Sequence, residues 1–231
     1  MSTALKQMTV DEFLLWAEGE EGRWELHDGI ARRITPERID HVRTKGEVFV
    51  TLTFASRHAG CDCEVFGSGG GIQIDQRTVY APDGAIVSGP KLPDNAILLV
   101  NLIVVVEVLS PSTAAIDHGR KLSSYFSLPS VEHYLILDPE RRVVIHHKRG
   151  QGDAIEMRVL SEGAIKLDPP GFEVLVEACF PCRDRRSSAS LVARRAQNWN
   201  SVSPGAGSVS LSRPRMPMNV PSIGVGWLNV L

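Results

Sequence analysis

Cysteine is scarce in this chain. Four among 231 residues do not make a disulfide scaffold, so a reducing cytoplasm is the expected compartment. Long apolar runs are missing too. The longest, from Ala96 to Leu109, is broken by Asn101 and Glu107 and is too short to span a bilayer, so no membrane partner is expected. The opening "MSTALKQMTVDEF" has no basic stretch followed by an apolar one, and no secretory signal is expected. Glycine-rich "GSGGG" at 67–71 is not followed by Gly-Lys-Ser/Thr, so it is no P-loop, and a hairpin turn is the better expectation. Large net charge is also absent, at −2 overall.

The balance hides an asymmetry. From Pro181 onward seven arginines stand against one aspartate, whereas residues 1–180 carry eighteen basic and twenty-six acidic side chains. An acidic body argues against broad electrostatic capture of nucleic acid, though not against a local metal-and-phosphate site. The last 51 residues are rich in Ser, Arg, Pro and Gly without sustained periodicity, which reads as a disordered basic tail over 181–231. One domain over 1–180 is expected.

Along that domain, Thr9 with Glu12 three residues on has the capping-box spacing of a short helix carrying Phe13, Leu14, Trp16 and Ala17. "RWELHDGIARRI" predicts a hairpin turning at Asp28-Gly29. After Pro36 a long helix is expected, with Ile39, Val42, Phe49, Leu52 and Ala55 on one face. Strands are expected at 61–66, 72–75 and from Gly84, and a central strand at 102–109, apolar on both parities. A helix over "DHGRKLSSYFSL", a hairpin over "EHYLILDPERRVVIHHKR" and strands near 155–160 and 164–167 follow. A mixed sheet with helices on both sides accommodates this order.

Glu107 is the anomaly in that central strand. An unpaired buried carboxylate costs several kcal/mol or protonates, and a bound cation is one of the few partners that relieve it. Asp83, after Pro82 at the start of the preceding strand, would converge with Glu107 if the strands are neighbours. With the main-chain carbonyl of Val108 they offer a hard oxygen shell suited to Mg²⁺.

"WELHDG", "YAPDGAIV", "VVVEVLSPST", "DHGRKLSSY" and "HYLILDPERR" resemble, in order and spacing, the Uma family of predicted restriction endonucleases, across residues 8–180. That family looks like a branch of the PD-(D/E)XK nuclease superfamily. The resemblance implies an α/β fold with a restriction-endonuclease-like mixed β-sheet flanked by helices, and Mg²⁺-dependent cleavage of DNA, with Mn²⁺ as a substitute and a homodimer left open. It makes Asp83 the motif aspartate and Glu107 the second acid. The lysine expected two residues later is replaced by Leu109. Lys121 on the following helix is then the substitute, and Glu25 completes the metal shell.

Each residue also has a simpler role. Asp83 would cap a turn, and Lys121 would pair with Asp117 on a solvent-facing helix. Glu25 would pair across its hairpin with Arg32 or Arg33. His41, where the family often has a histidine, would be a surface or packing residue. Cys61, Cys63, Cys179 and Cys182 have a poor spacing for zinc, and His146 and His147 must face opposite sides of a strand. Rival functions are a nuclease fold that only binds DNA or protein, and a hydrolase of another phosphate ester.

Overall fold

The computed structural model describes residues 7–109 and 117–182. The expected tail at 181–231 therefore lies, but for its first two residues, outside the described residues. The first helix, α1 (Val10–Ala17), starts on the full reciprocal capping box of Thr9 and Glu12 and buries Val10 and Phe13. The hairpin of β1 (Trp24–His27) and β2 (Ile30–Arg33) turns through Asp28 at φ 48° and Gly29 at φ 84°. Two consecutive positive φ values define the primed turn that matches strand twist.

The long helix α2 (Ile39–Ala59) ends on Gly60 in the left-handed conformation, as a C-terminal glycine allows. Its inward face departs from expectation. His41, Thr44, Lys45, Val48, Leu52 and Ala55 are buried, whereas Ile39, Val42 and Phe49 are exposed. The helix is rotated because its first turns carry polar groups that find carboxylate and carbonyl partners inside.

Strands β3 (Cys63–Gly67), β4 (Ile72–Asp75), β5 (Thr78–Tyr80), β6 (Gly84–Ser88) and β7 (Leu102–Val108) follow, then helix α3 (Asp117–Ser127). The chain continues through β8 (His133–Asp138), β9 (Val143–Arg149), β10 (Ile155–Leu160), β11 (Ala164–Leu167), β12 (Phe172–Leu175) and a 3₁₀ turn at Val176–Cys179. Six strands form the main sheet in the order β10-β9-β8-β7-β6-β3, with only β7 and β8 parallel, and β2-β1-β5-β4 form a second sheet. The architecture is thus α/β with a mixed sheet and flanking helices, and α3 is the crossover between the parallel pair.

"GSGGG" is not a hairpin turn. It carries the chain from β3 in the main sheet to β4 in the second, and a Cβ at Gly70 would meet the Leu99 side chain at 2.7 Å. Between one face of the main sheet and α3 lies a core of Tyr80, Val105, Tyr125, Phe126, Tyr134 and Ile136. Tyr80, Tyr125 and Tyr134 stack edge to face in series, an arrangement aromatic quadrupoles favour. None of the described helices is long and apolar enough to cross a membrane.

Candidate active site

β6 and β7 are antiparallel neighbours with Gly84 opposite Val106. Continuing that register by one residue sets Asp83 beside Glu107. The convergence expected of these two carboxylates therefore follows from strand pairing alone. Around them two groups of side chains close in, one from α2 and one from α3 with β1.

On the α2 side, Asp83 Oδ2 accepts the Val108 N–H at 2.7 Å, and its Oδ1 lies 2.8 Å from Lys45 Nζ. Lys45 also donates to both oxygens of Glu37, at 2.8 and 2.9 Å. His41 Nε2 donates to the Val108 carbonyl at 2.7 Å and lies 3.5 Å from Asp83 Oδ2, while Nδ1 faces Glu37 at 3.1 Å. Burial raises the Glu37 carboxyl pKa, but the Lys45 hydrogen bond and the charges of Lys45 and His41 outweigh it and leave it lowered. One candidate ligand atom each from Glu37, His41 and Asp83 lie within 4.8 Å of one another.

On the α3 side, Glu107 is 12% exposed at its side chain. Its Oε1 accepts from Tyr125 Oη at 2.7 Å and from Lys121 Nζ at 3.0 Å. Among the described residues its Oε2 receives no hydrogen bond. Lys121 Nζ also reaches Glu25 Oε1 at 3.3 Å and stands over the Tyr80 ring, 5.3 Å from its centroid. Glu25 accepts in addition from Ala81 N–H at 3.0 Å, and its Oε2 is 2.8 Å from His27 Nε2.

These surroundings drive the two glutamates apart. For Glu107, burial dominates; Lys121 opposes it, Asp83 and Glu25 add to it, and the pKa is pushed up to about 7. For Glu25, burial is outweighed by the His27 hydrogen bond, the Lys121 charge and the Ala81 N–H, and the pKa falls to about 2. A carboxyl poised near neutrality beside one held ionised is the pattern expected where proton transfer is performed.

Several simpler roles fall away. Lys121 is buried and turned toward Glu107 and Glu25, not part of a solvent-facing pair; the Asp117 side chain lies outside the described residues. Glu25 stands opposite Arg32 in the register but bonds inward to His27, Ala81 and Lys121. Leu109 packs against the α3 core, filling the position of the expected lysine with apolar bulk. Cys61 is bonded to Cys63, so no four-cysteine grouping forms. His146 bonds His133 while His147 stacks on Tyr134, on opposite faces as strand geometry requires.

Sequence reasoning missed Glu37 and Lys45 and set His41 aside. Part of the signal was present: His41 and Lys45 stand four residues apart on one helical face, with Glu37 just ahead of the helix. Read for apolar residues only, that face was invisible. His27 follows Glu25 by two positions on a strand, and so shares its face.

The family model described as "Putative restriction endonuclease", Uma2, matches residues 10–179. A protein from Synechocystis sp. (strain ATCC 27184 / PCC 6803 / Kazusa), "Uncharacterized protein slr1290", is 26% identical over 181 residues, covering 78% of this chain and 94% of that one. A crystal structure of a "putative nuclease belonging to DUF820" from Anabaena variabilis ATCC 29413 superposes with a TM-score of 0.60 at 15% identity, over 75% of this chain and 97% of the other. At that identity the likeness speaks for a shared nuclease-like fold. With the family pattern running through α1 and on to the 3₁₀ turn after β12, the chain belongs to the Uma2 family.

Proposed function

We propose that this protein is a metal-dependent endonuclease of the PD-(D/E)XK type that hydrolyses phosphodiester bonds in DNA. The observation that carries it is the strand register that sets Asp83 beside Glu107 at the end of β7, together with the ion pair of Lys121 with Glu107. The donor set fits a hard divalent cation. Glu107 Oε2 is without a hydrogen bond among the described residues, and the Asp83 oxygens and the Val108 carbonyl keep a second lone pair each. Asp83, Glu107 and the Val108 carbonyl would hold Mg²⁺, with Glu25 nearest through Lys121. The same carboxylate and carbonyl oxygens suit Mn²⁺ as a substitute. When bound, the ion supplies Lewis-acid stabilisation of the phosphate and a more acidic water.

The chain's own groups divide the remaining work. Glu107 and Asp83, which the cation would hold ionised, would fix the ion's position at the end of β7. Lys121, held between Glu107 and Glu25, sets its charge where negative charge grows on the phosphoryl oxygens. Lys45 and His41 fix Asp83 and the Val108 peptide in place.

A DNA- or protein-binding module without turnover is favoured by one observation, the apolar Leu109 at the customary lysine position. Incubation of supercoiled plasmid with Mg²⁺, with Mn²⁺ and with EDTA, alongside Asp83→Ala, separates the two. Metal-dependent nicking that is lost in EDTA and in Asp83→Ala is expected. Metal-dependent binding without any nicking would establish the module instead.

A further inference from the structure

The main sheet ends differently at its two sides. Every residue of β3, at one edge, is half-buried. At the other edge β10 is exposed at five of its six residues, and no other described strand pairs with its outer side. β10 pairs with β9 without a bulge, from Ile155 opposite Arg149 to Leu160 opposite Val144. It contains no proline and no lysine in "IEMRVL". An open, regular edge without those devices is a template for another strand.

Its side chains carry a second message. Ile155, Met157 and Val159 share one face, at 38%, 62% and 60% exposure, in a row that continues the apolar face of the sheet from Tyr134 and Ile145. Glu156 and Arg158 share the other face, and among the described residues neither forms an ion pair. Three exposed apolar residues in alternation flanked by unpaired opposite charges are unusual for a solvated edge.

We propose that β10 pairs antiparallel with β10 of a second copy, about a two-fold axis perpendicular to the sheet and midway between the two copies of Met157. In that register Met157 faces its own mate, Ile155 faces Val159 of the partner subunit, and Glu156 faces Arg158 of the partner subunit, twice over by symmetry. The charges select this register. A two-fold axis keeps faces matched only for slips of two residues, and a slip either way sets Glu156 on its mate or Arg158 on its mate, which repels. The two six-stranded sheets then run on as one, the apolar row of each copy covered by the other's. One strand pair is small beside the ~1,200–2,000 Å² of standard interfaces, so a concentration-dependent dimer is expected.

Sedimentation velocity on the full chain over a concentration series should show a species of twice the 25.3 kDa chain mass. Glu156→Arg sets arginine against Arg158 of the partner subunit and should weaken dimerisation at least ~10-fold, the scale of 1.4 kcal/mol. Glu156→Arg with Arg158→Glu exchanges the charges and should restore it. Independently of any effect on folding, Met157→Cys faces its own mate across the axis at a separation suited to a disulfide. Mild oxidation should link copies of that variant, while Val159→Cys, opposite Ile155 of the partner subunit, should not link. A chain that stays monomeric throughout, a dimer indifferent to Glu156→Arg or not restored by the exchange, or equal cross-linking of the two cysteine variants overturns the proposal.

Discussion

Glu107→Gln should stabilise the metal-free protein, increasingly as pH rises from 4.5 and in full at neutral to alkaline pH. The carboxyl is buried beneath Tyr125 and Lys121, with Asp83 and Glu25 nearby. Burial raises its pKa from 4.5 to about 7 in the folded chain. Below pH 4.5 the group is protonated in both states and carries no penalty. Between pH 4.5 and about 7 the unfolded chain ionises it while the folded one keeps the proton, so stability is lost progressively over that window, by roughly 3 kcal/mol in full at pH 7 and above. Glutamine keeps the shape and an oxygen acceptor for Tyr125 and Lys121 but never ionises. Its amide group has no assigned partner, which offsets about 1 kcal/mol or more of the gain. A net gain of about 1–2 kcal/mol at pH 8 corresponds to a Tm increase of roughly 2–8 °C for a domain of this size. Thermal or urea unfolding of wild type and variant, in EDTA at pH 5 and pH 8, measures it. With excess Mg²⁺ the wild type should regain stability by ligand linkage, and the variant should not. Equal destabilisation of the variant at both pH values would refute the reasoning, since it would mean that the carboxylate is already well compensated as a structural ion pair.

Lys121→Ala should lower cleavage by ~10²–10³-fold, the scale for losing one transition-state charge partner, and Leu109→Lys in that variant should recover part of the loss; near-wild-type nicking would remove Lys121 from the site. His133 and His146, bonded to each other at 2.9 Å, are buried, and each is held down to about 4. Stability should therefore be full above pH 6.5 and decline toward pH 4, by roughly 3 kcal/mol for the first to protonate. Urea midpoints in the Glu107→Gln background, where the opposing slope of Glu107 is absent, measure this; a flat profile would contradict it. Truncation after Cys182, just past the Pro181 carbonyl that accepts from Arg142, should leave Tm nearly unchanged and weaken non-specific DNA binding at low salt, because it removes the basic segment; a drop of many degrees would count against a separate tail.

Local order was legible in the chain itself. The Thr9–Glu12 cap, the Asp28-Gly29 turn, the apolar β7 and the α3 crossover rest on neighbours a few residues apart. For them short-range sterics and periodicity suffice. Glu107 was legible because a carboxylate in an apolar strand violates its own pattern, whereas Asp83, just ahead of β6, stood out only through the family motif. What the tertiary structure decided is where long-range partners lie. β3 and β4 look like a hairpin but enter different sheets, and β5 and β12, each three or four residues long, carry too little pattern to announce themselves. The inward face of α2 was set by Asp83 and the Val108 carbonyl, 38 or more positions away. Ion pairs and hydrogen bonds in a poorly solvated interior outweigh the burial of Val42 or Phe49, and no local periodicity records that preference.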